Sequence, residues 1–294
     1  MREWVTRQVP SLHRLDELIP VLLIRPAITP IPNHSNPQSL HCLMRRFYLP
    51  PNECRDSTLF LTGREAHHAL RVVRVRRGER ILVLDGLGAE FLCEVQDHHR
   101  DTVKLALVEK RSVSPLPYRI TLLQALPKGK LIESIIQKAT ELGVYRIVPL
   151  LSQRVVSRLQ KKGSRDKVSK WQLTAIEGIK QCGSAWLPQV DAPLTPGQFL
   201  LRDETFDLPL LASLQGDRQH PRHYFRAFQV QHGHPPKSVC VWIGPEGDFT
   251  PEETEAIKAS GALPITLGRL VLRTETAATY CLSILNYELQ SATP

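Results

Sequence analysis

No run of uninterrupted apolar residues reaches the roughly 18 that a membrane-spanning helix needs. The nearest, Leu18 to Ile31, is broken by Pro20, Arg25 and Pro26. A spanning helix is excluded, and a soluble protein without a membrane partner is expected. Paired cysteines are missing as well: Cys42, Cys54, Cys93, Cys182, Cys240 and Cys281 stand far apart, with no C-x-x-C among them. That spacing argues against a zinc site or a disulfide framework, and thiols such as Cys93 inside the apolar run Phe91 to Val95 read as buried groups in a reducing cytosol. The phosphate loop G-x-x-x-x-G-K-[ST] is absent, so Lys128-Gly129-Lys130 is not one. H-E-x-x-H and G-x-S-x-G are absent too, which removes the commonest metalloprotease and hydrolase chemistries. His67-His68 has no spaced cluster of further ligands, so no metal is expected and a polar helix surface is the plainer setting.

What is present is a sizeable core and an excess of positive charge. Hydrophobic residues make up 42% of 294 positions, enough for two domains of ordinary size. Lys and Arg outnumber Asp and Glu by 38 to 29, a net +9 that favours a polyanionic partner. The excess is clustered. Arg64, Arg71, Arg74, Arg76, Arg77 and Arg80 fall within seventeen residues, opposed only by Glu65 and Glu79. Arginine pairs bidentately with phosphate, so this stretch suits a nucleic-acid backbone, against the plainer reading of a solvated face. A second basic stretch, Arg154, Arg158, Lys161, Lys162, Arg165, Lys167 and Lys170, fits loose solvated charge equally well.

Residues 1–43 differ from the rest, with Pro10, Pro20, Pro26, Pro30, Pro32 and Pro37 and a polar Asn-His-Ser-Asn stretch. They read as a disordered extension, either an upstream start-site misassignment before Met44 or an organellar targeting peptide. From 44 to 113 the signals are strand-like: Thr58 to Leu61, Arg80 to Asp85, Glu90 to Gln96 and Thr102 to Val108, with Asp85-Gly86-Leu87-Gly88 as a hairpin connection. Ser112 to Pro117 has linker chemistry, and from 118 to 291 strand alternates with helix. Ile120 to Leu126 is a strand. Leu131, Ile132, Ile135, Ile136, Ala139 and Leu142 recur at helical spacing before a stop at Gly143, and Ile147 to Leu151 is the next strand. Val168 to Ile179 reads as a helix, with strands following at Leu208 to Leu214 and Val239 to Ile243. Thr250-Pro251-Glu252-Glu253 is a capping box that starts a helix ending at Gly261; Leu263 to Leu267 is a strand and Thr276 to Leu289 a final helix. The alternation implies an α/β domain with a parallel sheet.

Ligands of such sheets bind beyond the carboxyl ends of the strands, where two glycine-bearing loops are expected. One is Gly244-Pro245-Glu246-Gly247-Asp248; the other runs from Leu267 and Gly268 through Leu270 and Leu272 into Arg273-Thr274-Glu275-Thr276-Ala277. Glycine lets backbone approach a ligand closely, although strand-to-helix turns use Gly and Pro in any case. Arg273 and Glu275 at the mouth of a sheet exceed what a connector needs, although a helix start also favours Thr and Glu.

These motifs resemble the bacterial 16S ribosomal RNA uridine N3-methyltransferases of the SPOUT superfamily. The likeness runs from Met44 to about Leu289 and rests on Arg45-Arg46-Phe47-Tyr48, His67-His68-Ala69-Leu70-Arg71-Val72-Val73-Arg74, Gln137 to Val144, Gln181-Cys182-Gly183, Ile243 to Gly247 and Leu270 to Ala277. The resemblance implies an N-terminal PUA-like β-barrel over 44–113, a SPOUT α/β domain with a trefoil knot over 118–291, a homodimer, cytoplasmic location and S-adenosylmethionine as methyl donor. It implies that Gly244, Pro245, Glu246, Gly247, Leu267, Gly268, Leu270, Leu272, Thr274, Thr276 and Ala277 hold the donor. Arg273 and Glu275 become the candidate catalytic pair, with Glu275 either the base or only a helix cap orienting Arg273. Arg46, Arg64, His67, His68, Arg71, Arg74, Arg76, Arg77, Lys128 and Arg154 become candidate contacts to 16S ribosomal RNA or the small subunit. Two rivals stand beside this expectation: a related SPOUT enzyme with another target atom, such as a ribose hydroxyl, and a non-catalytic RNA-binding assembly factor. Asp248 and Ser184 depart from the family pattern, which usually has glycine and arginine there. No motif is legible in Leu210 to Gln215, the expected first donor loop.

Overall fold

The computed structural model describes residues 44–129, 131–154 and 164–291. The proline-rich extension 1–43 and Arg158, Lys161 and Lys162 of the second basic stretch lie outside the described residues.

The first part is a five-stranded sheet in the order β1-β3-β4-β5-β2, formed by β1 (Arg46–Tyr48), β2 (Thr58–Leu61), β3 (Arg80–Leu84), β4 (Ala89–His99) and β5 (Thr102–Ser112). Only the β1–β3 pair is parallel. The hairpin read at 85–88 is there: the Asp85 carboxylate accepts from the Leu87 and Ala89 amides at 2.8 and 2.9 Å, and Gly86 and Gly88 take positive φ. Phe47, Leu59, Leu61, Ile81, Val83, Phe91, Val95 and Leu105 fill one core. Burying each such side chain stabilises the fold by about 1.5–3 kcal/mol. Helix α1 (Gly63–His67) continues into a π-helical turn, His68–Val73, stopped by Arg74 in the left-handed region at φ 58°.

The second part is a six-stranded, wholly parallel sheet in the order β11-β9-β10-β6-β7-β8, formed by β6 (Arg119–Ala125), β7 (Arg146–Leu150), β8 (Gln189–Val190), β9 (Leu208–Ala212), β10 (Ser238–Ile243) and β11 (Leu263–Ile265). Alternate residues of its strands serve two cores. Ile120, Leu122, Ile147, Val239 and Val241 meet α2 (Leu131–Glu141), α3 (Ser164–Cys182), α5 (Pro221–His232) and α7 (Thr274–Ser291). Leu123, Val148, Leu211, Cys240 and Trp242 meet α4 (Pro196–Leu200) and α6 (Pro251–Ala259) on the other face. A sheet covered on both faces needs strands that are apolar throughout, as Ser238–Ile243 and Arg119–Ala125 are apart from their first residues and Thr121 and Gln124. The capping box read at Thr250 is formed, its hydroxyl accepting from the Glu253 amide and the Glu253 carboxylate from the Thr250 amide. Sequence reasoning found neither α5, whose buried residues are only Pro221 and Phe225, nor the short elements β1, β8 and α4.

Candidate active site

Both glycine-bearing loops lie at the carboxyl end of the parallel sheet and meet across one cleft. Along β10 the chain reaches Ile243 and turns through 244–248, closing with the Asp248 amide on the Pro245 carbonyl at 2.9 Å. Along β11 it reaches Ile265 and enters 266–273, where the Gly268 amide and carbonyl both meet the Thr266 hydroxyl. Thr274 ties the two together. Its buried hydroxyl donates to the Gly244 carbonyl at 2.8 Å and accepts from the Gln124 side-chain amide of β6 at 3.1 Å. The start of α7 is thereby fixed against the ends of two central strands.

The cleft is lined by Gly244, Pro245, Glu246, Leu267, Gly268, Leu270, Leu272, Thr274 and Ala277 of the residues anticipated from sequence. Gly247 and Thr276 stand outside it, as do Arg273 and Glu275, which lie at the start of α7 beside its wall. Arg273 is exposed and makes no ion pair among the described residues; Glu275 is half-buried in the first helical turn. The expected first donor loop, in which no motif is legible, supplies another wall through Ala212 at the end of β9 and Ser213 and Leu214 after it; Arg218, which also lines the cleft, was not anticipated. The Ser213 hydroxyl accepts from the Gln215 amide, and the Arg218 guanidinium donates to the Ser213 carbonyl at 2.9 Å. This wall works through its backbone, so no side-chain motif marks it.

Two carboxylates edge the cleft. Glu246 accepts from the Lys128 amide at 2.9 Å, and Asp248 accepts from the Leu214 amide at 3.3 Å. Leu270 and Val271 stay 79% and 77% exposed beside it. Gly268 takes φ +113°, and no atom lies within 4 Å of where its Cβ would be. The cleft thus offers apolar walls, exposed loop backbone, two carboxylates and the Arg218 guanidinium, which suits a small ligand with both apolar and charged parts. A roomier cavity, about 900 Å³, lies elsewhere, lined by Tyr118, Arg119 and Lys237 at the amino ends of β6 and β10. Parallel sheets do not place their ligands at that end, so the smaller cleft is the candidate.

The residues expected to meet RNA divide. Arg71, Arg74, Arg76, Arg77 and His67 are exposed on the β-domain. Lys128 and Arg154 flank the 244–248 loop, Lys128 through its bond to Glu246 and Arg154 by packing against Gly247. Three others turn toward the protein instead. The Arg46 guanidinium lies on the Lys180 and Gln181 carbonyls, Arg64 pairs with Glu177 at 3.2 Å, and His68 packs on Phe47 with its Nδ1 3.4 Å from Lys180 Nζ. The other departure from the family pattern, Ser184, accepts from the Trp186 amide, and the Trp186 indole donates to the Val113 carbonyl at 3.0 Å. That loop closes the junction between the two sheets. Among the described residues, no group of three or more His, Cys, Asp or Glu is arranged to hold a metal ion, and no helix is long and apolar enough to cross a membrane.

A β-domain carrying exposed arginines, joined to a parallel-sheet domain with a looped cleft, is the build of a two-part RNA-modifying protein. The RNA methyltransferase PUA domain matches residues 61–108 and the RNA methyltransferase domain residues 114–286. The ribosomal RNA small subunit methyltransferase E of Synechocystis is 32% identical over 93% of this chain and 88% of its own length, and that of Bacillus subtilis is 32% identical over 84% and 98%. A putative methyltransferase from Legionella pneumophila, solved with bound SAM, shares the fold with a TM-score of 0.74 and 31% identity over 85% of this chain and 98% of its own. A Neisseria gonorrhoeae ribosomal RNA small subunit methyltransferase E bound to S-adenosyl methionine superposes with a TM-score of 0.71 at 26% identity, covering 83% and 97%. The class is therefore RNA methyltransferase. Within it, the chain belongs to the family of ribosomal RNA small subunit methyltransferases E, and the expected architecture, a PUA-like domain followed by a SPOUT α/β domain, is borne out.

Proposed function

We propose that the protein transfers a methyl group from S-adenosylmethionine to N3 of a uridine in 16S ribosomal RNA. The observation that carries this reading is the meeting of the 244–248 and 266–273 loops at one cleft, tied by Thr274, whose neighbour in the chain is Arg273. When bound, S-adenosylmethionine supplies an electrophilic sulfonium methyl. The adenine would lie against Leu214, Leu270, Leu272 and Ala277, with its edge met by loop backbone, and Glu246 and Asp248 would face the cationic centre.

N3 of uracil carries a proton at neutral pH, which must leave as the methyl carbon bonds to nitrogen and parts from sulfur, the donor departing as a neutral thioether. Glu275 accepts that proton in this reading, and the Arg273 guanidinium donates hydrogen bonds to the uracil oxygen where charge gathers. Arg71, Arg74, Arg76 and Arg77 hold phosphates of the same RNA, while Lys128 and Arg154 reach it beside the cleft. Arg46, Arg64 and His68 serve the domain junction instead.

A homodimer and a trefoil knot belong to the same reading. Tyr280 and Tyr287, a heptad apart on α7, are exposed, as are Leu270 and Val271 of the loop before it, and a second copy would cover such apolar side chains. The tie of Thr274 to Gln124 of β6 and to Gly244 after β10 supports the knot in this reading. The domains run over 44–113 and 118–291, and a ribosomal substrate supports action in the cytoplasm. Calorimetric titration of the purified protein with S-adenosylmethionine tests the reading. Binding by a folded dimer supports it, whereas a folded protein that does not bind is an RNA-binding assembly factor.

A further inference from the structure

Asp248 is the one non-glycine residue of the candidate cleft that takes a positive φ, at 62°. L-residues adopt that conformation at a cost, and glycine would fill the turn without it. Something other than the turn therefore accounts for a carboxylate here. Its Oδ1 accepts from the Phe249 amide at 2.8 Å, and its Oδ2 accepts from the Leu214 amide at 3.3 Å, bridging the loop after β10 to the loop after β9. The same Oδ1 lies 2.8 Å from where a Cβ at Gly244 would stand, so this carboxylate and a side chain at 244 exclude one another. The Ser213 amide already donates to the Ile265 carbonyl, so Ser213 and Leu214 are held from opposite sides, by β11 and by Asp248.

Resting on the reading that this cleft takes S-adenosylmethionine, we propose that Asp248 is a positioning and selectivity residue that fixes the Ser213–Leu214 wall and gives the cleft a preference for the charged sulfonium donor over the neutral thioether product. Donor and product share the adenosine and the amino-acid tail and differ in one methyl group and one positive charge. A carboxylate in the cleft wall would attract the sulfonium of a bound donor and has no such attraction for the thioether. Product leaves more readily as a result. The two hydrogen bonds hold the carboxylate in place, so little reorientation accompanies exchange of one ligand for the other.

The test compares dissociation constants for S-adenosylmethionine and S-adenosylhomocysteine, measured by calorimetry on full-length wild type, Asp248→Asn and Asp248→Gly. Asparagine tolerates the left-handed turn and keeps one acceptor while losing the charge. It is expected to lower the donor-to-product preference about fivefold, an effect of charge at short range, with product affinity falling less than donor affinity because one of the carboxylate's two hydrogen bonds is lost. Glycine relieves the turn and frees the wall, so it is expected to weaken both ligands and to lower the preference equally. A preference in Asp248→Asn equal to that of wild type overturns the proposal while leaving the donor reading intact. Wild type that binds neither ligand overturns the donor reading and the proposal with it.

Discussion

Lys180, in the last turn of α3, sets its ammonium 2.9 Å from the Glu65 carboxylate of α1, across the junction of the two sheets, with only 5% of the lysine side chain exposed. Glu65 also accepts from the Tyr48 amide of β1 at 3.2 Å, and Glu177 approaches the same ammonium to 3.2 Å. His68 Nδ1 lies 3.4 Å from the same ammonium. The Arg46 guanidinium on the Lys180 and Gln181 carbonyls adds a second tie beside it. A buried charge that loses its partner costs about 3–5 kcal/mol, far more than an exposed pair. Lys180→Met is expected to destabilise the protein by about 3 kcal/mol and to lower its melting temperature by several degrees, while Glu65→Gln, which keeps an acceptor, has a smaller effect. Thermal melts of both variants check this; unchanged melting for Lys180→Met contradicts a load-carrying junction.

Arg273 is predicted to matter for the chemistry and not for the fold. It is exposed at the start of α7 and makes no ion pair among the described residues. Arg273→Ala should lower kcat by about 10²–10³, the usual cost of removing one stabilising donor from a reacting oxygen, while leaving the melting temperature and donor affinity near those of wild type. Single-turnover transfer assays read this directly, and undiminished turnover refutes the role.

The buried thiols predict a loss of stability at high pH. Burial pushes Cys93, Cys240 and Cys281 from the usual 9.0 up to about 12, and Cys54 to about 11. Below pH 9 these thiols are protonated in both the folded and the unfolded chain and contribute no pH dependence. Above it the unfolded chain releases protons that the folded protein keeps, so stability falls by about 1.4 kcal/mol per pH unit for each thiol. Cys281→Ala should therefore be less stable at pH 8 and lose stability less steeply between pH 9 and 11. Urea unfolding across that range checks it, and parallel slopes for variant and wild type contradict it. Cys182 differs from the expectation of buried thiols, since it is exposed beside Gly183; Cys42 lies outside the described residues.

The sequence made legible those features that side chains encode locally. Thr250-Pro251-Glu252-Glu253 names its own helix start because cap and carboxylate are three residues apart, and the two glycine-bearing loops fall at strand ends because apolar runs precede them. Long-range roles stayed hidden. Arg46 looks like a surface arginine until α3, 134 residues away, brings its carbonyls to it. The wall at Ser213 and Leu214 acts through an amide and a carbonyl, which any residue possesses. Helix α5 escaped because only Pro221 and Phe225 of its twelve residues are buried, too few to give an apolar period. Asp248 read as a departure from a glycine pattern, and only its backbone conformation and its bond to Leu214 supply a reason for it.

The most direct test is to incubate the purified protein with unmodified 16S ribosomal RNA or small subunits and methyl-labelled S-adenosylmethionine, then digest the RNA and identify the labelled nucleoside by mass spectrometry. The account predicts label in 3-methyluridine alone, appearing far more slowly with Arg273→Ala. Label in a ribose-methylated or any other nucleoside, or none despite donor binding, would contradict it.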